Sequence, residues 1–436
     1  MKPGPIQEAD VLGLSHDGRG IARVDGKAVF IDGALPGERV TMRIVKRRRQ
    51  MDEACLGSIL APSPDRVAPK CAHFGVCGGC TLQHLAASAQ IAAKQTQLLE
   101  DLARIGRVAP ERIIAPLRGP EWGYRRRARL GVKYVAKKGR VLAGFREREK
   151  PYLADIRHCE VLVPALRALP ESLAALVETL GIRELVPQVE VAVGDNATAL
   201  VFRVMQPPAA PDLEKLDEFG RAHQLSIYLQ TGGIETIRPL HADTPPLRYT
   251  IEPTGIVVEF GPADFVQVNR GINAAMVAAA IGELAPTPED RVLDLFSGLG
   301  NFTLPLARLS KLIVGVEGDP GLIAKARANA ALNDIGNTRF FTQNLFAPPE
   351  FGPWAEGTYE RVLLDPPRAG ALEVVSRMAS WRPRRVVYIS CHPGSLARDA
   401  GILVENQGFR LVGAGVMDMF PHTTHVESIA VFERCE

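Results

Sequence analysis

Apolar and polar positions follow different rhythms in different parts of the chain. Up to about Pro62 the runs are short. Ile21–Val24 and Ala28–Ile31 flank Asp25-Gly26-Lys27, and Arg39–Val45 alternates basic or polar with apolar residues. Alternation around a glycine turn predicts strands joined by a hairpin. Pro62, Pro64 and Pro69 break this unit. A short all-β unit with a basic strand predicts a small barrel of the OB type, a common nucleic-acid-binding shape. Leu85–Ile105, rich in Ala, Leu, Gln and Lys, reads as a helix. Glu121–Tyr152 reads as strand pairs punctuated by glycines, and the stretch from about Val161 to Phe260 as mixed helices and strands without visible chemistry. From about Gly261 the rhythm changes again. Apolar strands Arg291–Phe296, Leu312–Glu317, Arg361–Asp365 and Arg385–Ser390 are separated by helical segments such as Gly321–Asn333. That alternation predicts an open, mostly parallel α/β sheet. The expected organisation is a barrel over 1–62, an α+β central domain over 63–262 and an α/β domain over 263–436, with the helix over 85–105 packing either on the α/β sheet or within the central domain.

Composition changes this picture little. A chain of 436 residues with 46% hydrophobic and 23% charged residues suits two or three ordinary globular domains. No apolar stretch reaches the roughly 18 residues a membrane span needs. Met1-Lys2-Pro3-Gly4-Pro5 has no apolar segment of signal type behind it. The expected location is the cytoplasm. A net charge of +3 says nothing of partners, but its distribution does. Lys46-Arg47-Arg48-Arg49 and Arg125-Arg126-Arg127, with Arg129, are concentrated basic clusters that suit a phosphate backbone. A solvated basic surface explains either cluster alone equally well.

The α/β region carries candidate chemistry at its strand ends. Val292-Leu293-Asp294-Leu295-Phe296 runs into Ser297-Gly298-Leu299-Gly300-Asn301, where glycines permit a tight turn and close approach of a ligand. The next strand ends at Glu317, placed to accept hydrogen bonds from ribose hydroxyls. The third glycine of a dinucleotide fingerprint is absent, since Thr303 stands there. Asn344 follows the third apolar stretch and could reach an adenine edge; Asp365 ends the next strand. Loop capping is the plainer explanation of each acid alone, but several strand ends carry polar groups at once. Ligands of such sheets sit beyond these carboxyl ends.

Cys391, in Ile389-Ser390-Cys391-His392-Pro393, also lies just past a strand end. A lone cysteine there is more often a small core residue. Beside a nucleoside site it gains a second meaning, because carbon 5 of uracil is a poor nucleophile until a thiolate adds to carbon 6. A base must then remove the carbon 5 proton. Glu427 is the candidate, with His422 and His425 as alternatives.

The seven cysteines (55, 71, 77, 80, 159, 391 and 435) are odd in number, against a disulfide framework. Cys71, Cys77 and Cys80 form a tight cluster, with Cys159 further on. Four thiolates can hold an iron–sulfur cluster or zinc, and spacing does not choose between them.

Taken together, these residues resemble the bacterial 23S ribosomal RNA uracil-5-methyltransferases along essentially the full chain. The resemblance implies Cys391 as catalytic nucleophile and Glu427 as proton-abstracting base. It implies that Gln267, Phe296, Asn301, Glu317, Asn344 and Asp365 bind S-adenosylmethionine; Gln267 stands in Phe265-Val266-Gln267-Val268-Asn269, a run that physical reading alone does not flag. It assigns Cys71, Cys77, Cys80 and Cys159 to a [4Fe–4S] cluster in the central domain. The N-terminal unit resembles the TRAM domain, an RNA-binding OB-like barrel, and the C-terminal part a Rossmann-like class I S-adenosylmethionine-dependent methyltransferase. The implied partner is 23S ribosomal RNA, with no membrane and no obligate protein partner, the chain acting as a monomer. Two positions depart from the family pattern. His392 replaces the usual asparagine after the catalytic cysteine, an imidazole that could tune the thiolate, and Ser297 stands where some members carry cysteine. Two other readings are a transfer RNA uridine-5-methyltransferase, whose members usually lack both barrel and cysteine cluster, and a non-catalytic iron–sulfur RNA-binding or redox-sensing protein, which leaves Cys391 without a role.

Overall fold

The computed structural model describes residues 5–347 and 352–435; the Met1–Gly4 start noted above lies outside them. Five strands make the N-terminal unit: β1 (Ile6–Leu14), β2 (Gly20–Val24), β3 (Lys27–Asp32), β4 (Arg39–Arg47) and β5 (Met51–Ala61). They close in the order β1-β2-β3-β5-β4, with β4 returning to pair antiparallel with β1. Alternation explains the closure: Val11, Val29, Ile31, Val40 and Met42 turn inward to form the core. The basic run Lys46–Arg49, at the turn between β4 and β5, is exposed. A buried ion pair fixes the chain as it leaves the barrel. Glu38, whose side chain is fully buried, accepts from Arg66 at 2.5 and 2.9 Å, and Arg66 also donates to the Gly33 carbonyl at 2.7 Å.

Past the cysteine-rich segment comes α1 (Ala87–Asp101), whose last turn widens over Leu102–Gly106. Its buried side chains Ile91 and Leu98 belong to the core of the C-terminal sheet described below. This helix and the short β6 (Arg112–Ile113), which lie early in the 63–262 stretch, therefore build the C-terminal domain. The central layers are β7 (Arg127–Val135), β8 (Arg140–Gly144), α2 (Leu169–Thr179), β9 (Gln188–Val193), β10 (Thr198–Arg203), α3 (Ala210–His223), β11 (Ser226–Gln230) and β12 (Arg238–Pro239). Their sheet runs β12-β11-β10-β9-β7-β8 and shares a core with α2 and α3. The arginine cluster leading into β7 is mostly committed to internal partners. Arg126 pairs with Asp195 at 2.5 Å, Arg127 donates to the Asp264 and Pro262 carbonyls, and Arg129 pairs with Glu190 at 2.9 Å. It is less a free basic surface than its sequence implies.

The hairpin β13 (Leu247–Ile251) and β14 (Ile256–Phe260) leads into the C-terminal domain. There follow α4 (Arg270–Leu284), β15 (Arg291–Leu295), α5 (Thr303–Ala307), β16 (Leu312–Glu317), α6 (Pro320–Leu332), β17 (Thr338–Thr342), β18 (Arg361–Leu364), α7 (Leu372–Val375), β19 (Arg385–Ser390), α8 (Pro393–Glu405), β20 (Phe409–Met417) and β21 (Glu427–Arg434). The sheet order is β17-β16-β15-β18-β19-β21-β20-β6. Strands β15 to β19 are parallel, while β21 runs antiparallel to both β19 and β20. One face packs on the hairpin and α4 to α6, the other on α1, α7 and α8. Burial on both faces explains why these strands read as apolar runs with polar groups only at their ends.

Helix α8 begins directly behind Cys391, and His392 is its N-cap. The imidazole Nδ1 accepts from the Ser395 amide at 3.1 Å, and the Ser395 hydroxyl donates back to the His392 carbonyl at 3.0 Å. The ring thus satisfies an orphan amide of the helix, which an asparagine also does. His392→Asn should therefore keep the melting temperature of the protein, whereas His392→Ala should destabilise the helix by about 1 kcal/mol. Scanning calorimetry distinguishes the two; equal losses in both would refute the capping role.

Candidate active site

The parallel strands deliver their carboxyl ends to one edge of the sheet. Phe296 follows β15, Glu317 ends β16, Asn344 lies two residues past β17, Asp365 follows β18 and Cys391 follows β19. Strand β21 runs the other way and brings its first residue, Glu427, to the same edge. In the β19–β21 ladder Ser390 faces Ser428, and the Ser428 hydroxyl donates to the Ser390 carbonyl at 3.1 Å. One step further along that antiparallel register, residue 391 faces residue 427. Nucleophile and base candidates are thus neighbours across two strands.

The turn after β15 has an unusual backbone. Phe296 has φ +67°, Gly298 +53° and Gly300 +95°. An aromatic residue in the left-handed region is strained, and such strain collects at functional sites. The Phe296 and Ser297 amides both donate to the Val316 carbonyl, at 2.9 and 3.1 Å, which holds the turn against β16. Glu317 caps it from the other side, accepting from the Gly298 amide at 3.1 Å and from Gly318 at 2.6 Å. A Cβ built on Gly298 would meet nothing within 4 Å, so open space lies over the turn. Asn344 is exposed, its side chain accepting from the Phe346 amide at 3.0 Å, and the Phe346 ring lies 5.6 Å from that of Phe296.

Asn301 and Gln267 occupy a neighbouring corner. Asn301 exchanges two 3.0 Å hydrogen bonds with Asn273 of α4 and accepts from the Tyr249 hydroxyl at 3.1 Å. Gln267 lines a cavity with Tyr249, Asn273 and Arg270. The two residues are linked through shared neighbours.

The edge is electrostatically poised. Burial pushes the carboxyls of Asp294 and Asp365 up to about 7, and Glu427, 3% exposed, up to about 8 with the Asp365 charge adding to burial. Burial pushes the Cys391 thiol up to about 11, with Glu427 and Asp365 opposing its ionisation and Arg368 favouring it. Asp294 Oδ1 and Ser297 Oγ are buried without a hydrogen-bond partner among the described residues. Asp294 escaped the reading of the sequence, although an acid inside an apolar strand was the signal for it. Acids that resist ionisation in the free protein make a site that gains from a cationic ligand.

Of the alternative bases, His422 is enclosed: its ring stacks on Trp122 at 3.8 Å, and burial lowers its pKa to about 4. His425 is exposed, beside Phe420 at 5.3 Å.

The four other cysteines under consideration line one cavity away from this edge, together with His73, Arg125 and His158. Cys77 and Cys80 are pushed up to about 11 and about 12, chiefly by burial, and Cys159 is raised for the same reason. Among the described residues no group of three or more His, Cys, Asp or Glu side chains is arranged to hold a single metal ion. No helix of the described residues is long and apolar enough to cross a membrane.

Comparison with known proteins places the chain among relatives. The profile of the tRNA (Uracil-5-)-methyltransferase family matches residues 247–435, and that of the TRAM domain residues 2–54. A 23S rRNA (uracil(1939)-C(5))-methyltransferase RlmD of Methylococcus capsulatus is 50% identical over 99% of this chain and 98% of its own. That of Alkalilimnicola ehrlichii is 51% identical over 98% of this chain and 96% of its own. Among solved structures, a Pyrococcus abyssi tRNA (uracil-54, C5)-methyltransferase in complex with S-adenosyl-L-homocysteine superposes with a TM-score of 0.74. It is 24% identical, covering 98% of this chain and all of that one, and so shares the fold. With half of its residues identical to these relatives over nearly its whole length, the chain belongs to the family of 23S rRNA (uracil-C5)-methyltransferases.

Proposed function

We propose that this protein methylates carbon 5 of one uridine of 23S ribosomal RNA, the counterpart of the uracil its relatives are named for, with S-adenosylmethionine as methyl donor. The observation that carries the mechanism is the β19–β21 register, which sets residue 391 opposite residue 427 at the edge where the strained Phe296 turn also lies. The exposed Lys46–Arg49 tip of the barrel suits the RNA backbone. A transfer RNA substrate is the rival reading. Mass-spectrometric mapping of 5-methyluridine in RNA from cells with and without the gene decides: loss from 23S RNA supports the proposal, and loss from transfer RNA alone refutes it.

S-adenosylmethionine suits the site. The open space over Gly298, the unpartnered Asp294 and Ser297 oxygens and the hard-to-ionise acids all favour a polar, cationic nucleoside. When bound, it supplies an electrophilic methyl group on a sulfonium. Glu317 retains lone pairs for ribose hydroxyls, since a carboxylate offers about four acceptor positions. Gln267 and Asn301 would hold the donor from the Asn273 corner, and Phe296 and Asn344 from the turn and the β17 end. Asp365 would face the cationic end. The Cys391 thiolate then adds to uracil carbon 6, and the electron pair of the carbon 5–carbon 6 double bond moves onto the enolate. Carbon 5 would then take the methyl group from the sulfonium, the pair of the broken carbon–sulfur bond staying on sulfur, so that neutral S-adenosylhomocysteine leaves. Glu427 removes the carbon 5 proton; the freed pair restores the double bond and expels the thiolate. A carboxyl poised near 8 is a better base than an ordinary glutamate.

Cys391→Ala should lower methyl transfer about 10⁴-fold or more, with RNA affinity held within about twofold. Glu427→Gln should accumulate a methylated covalent protein–RNA adduct that survives denaturation. Full activity in the first variant, or no adduct in the second, would count against these roles.

Donor affinity should depend on pH. Asp294 and Asp365, both near 7 in the free protein, are mostly neutral below that value, and a cation favours their ionised forms. Affinity should rise about tenfold between about pH 6 and 8, with proton release on binding near neutrality. Titration calorimetry in two buffers of different ionisation enthalpy measures both; a flat affinity would separate these acids from the donor.

Cys71, Cys77, Cys80 and Cys159 are suited to hold a [4Fe–4S] cluster. Four thiols line one cavity, and four thiolates can hold either centre; the resemblance to the family favours the cluster over zinc. Buried thiols that resist ionisation alone gain a partner when metal replaces their protons. Protein purified without oxygen should show broad visible absorbance and about four irons per chain. Stoichiometric zinc without iron would refute the cluster.

A further inference from the structure

The loop 418–426, between β20 and β21, ends at Glu427 and is gripped by side chains from elsewhere in the chain. Connecting segments generally run over the surface. This one is largely buried: His422 is 3% exposed, and the side chains that hold it, Gln90 and Lys94 of α1, are 1% and 3% exposed. Gln90 accepts from the His422 amide at 2.8 Å through its carbonyl, and its amide nitrogen donates to the Leu82 and Leu85 carbonyls at 3.0 and 2.7 Å. That nitrogen also lies 3.3 Å from His422 Nδ1. Lys94 donates to Asp418 at 2.8 Å and to the Phe420 carbonyl at 3.0 Å.

Other parts of the molecule meet at the same loop. The amides of Thr81 and Leu82, directly after Cys80, both donate to the His422 carbonyl, at 2.9 and 3.0 Å. From the central domain, the Tyr124 hydroxyl donates to the Pro421 carbonyl at 3.1 Å, and Trp122 stacks on His422. Gly18 of the barrel, at φ +82°, leaves room for Thr424: a Cβ there would lie 3.0 Å from the threonine methyl. His422 itself is held at φ +65°, a conformation its neighbours must enforce.

A buried ion pair such as Lys94–Asp418 adds little net stability, because desolvation offsets most of the attraction. What it does supply is geometry. Deleting either partner leaves a buried charge, so the pair tolerates one arrangement of the loop and penalises others. Within the loop, Gln90 and Lys94 touch the His422 and Phe420 backbone and the His422 and Asp418 side chains, and among the described residues neither hydrogen-bonds to Cys391, Asp365 or Glu427.

We propose that Gln90 and Lys94 are positioning residues for proton abstraction: through the loop 418–426 they set Glu427 at the carbon 5 proton, and they tie that placement to the segment carrying Cys80. The proposal rests on reading Glu427 as the base. It has a particular kinetic consequence, because the base acts after thiolate addition and methyl transfer. A loosened loop slows the last step while sparing the earlier ones.

The test uses the full-length protein purified without oxygen, 23S RNA and S-adenosylmethionine. Gln90→Leu removes the grip on His422 without adding a charge. The pair Lys94→Met with Asp418→Leu removes both ions together, so that no buried charge is stranded if a single exchange fails to fold. Steady-state turnover should fall about tenfold or more, with the KM for RNA falling alongside it as adduct accumulates, while the equilibrium affinity for the donor stays within about twofold. The fraction of protein carrying a methylated covalent RNA adduct during turnover should rise several-fold over the wild type. Turnover that falls only in proportion to the folded fraction, with no rise in adduct, overturns the proposal, as does unchanged turnover. Glu427→Gln run alongside separates the two levels. If that variant itself traps no adduct, the reading of Glu427 fails; if it traps adduct and the grip variants do not, the positioning role fails.

Discussion

The reversed direction of β21 is the constraint on which the rest of the structure depends. In a fully parallel sheet every strand would offer its carboxyl end to the ligand edge. Strand β21, antiparallel to both neighbours, offers its first residue there instead. That reversal sets residue 427 across from residue 391, the two residues that the proposed mechanism brings to the same uracil ring. It also means that the proposed base hangs on the end of a connection instead of on a strand already in register. The chain compensates by burying that connection and tying it to α1, the cysteine segment and the central domain. The contribution of α1 to the catalytic domain, far from it in sequence, follows from the same need.

Electrostatics at the edge point the same way. A thiol and several carboxyls share a poorly solvated site in which each opposes ionisation of the others or is held back by burial. Arg368 is the cation that favours the thiolate, and it stands exposed. Such a site is under tension until a positive charge enters, and a sulfonium donor brings one.

Much of this was legible from local pattern. The barrel hairpin, the parallel strands and the polar groups at their ends follow from alternation, apolar runs and glycine turns, and the structure carries them within a residue or two. What local pattern lacks is direction and distance. Nothing in Glu427–Arg434 states that the strand runs backwards. Lys94 and Asp418 lie 324 positions apart, and only the folded chain brings them together. The capping role of His392 was not legible, because an imidazole beside a cysteine invites a chemical role, whereas the turn of its ring onto the Ser395 amide is a matter of helix geometry. The arginines around β7 look like a nucleic-acid surface in sequence, yet strand pairing sets Arg126, Arg127 and Arg129 against acids and carbonyls.

The most direct test of the central assignment is to locate the bond between protein and RNA. The Glu427→Gln protein, reacted with 23S RNA and S-adenosylmethionine, digested with protease and nuclease and sequenced by tandem mass spectrometry, carries the answer in one peptide. A methylated uridine on the peptide containing Cys391, and on none of the other six cysteines, is the expected result. A nucleotide attached to a different residue would contradict the assignment of Cys391 as nucleophile.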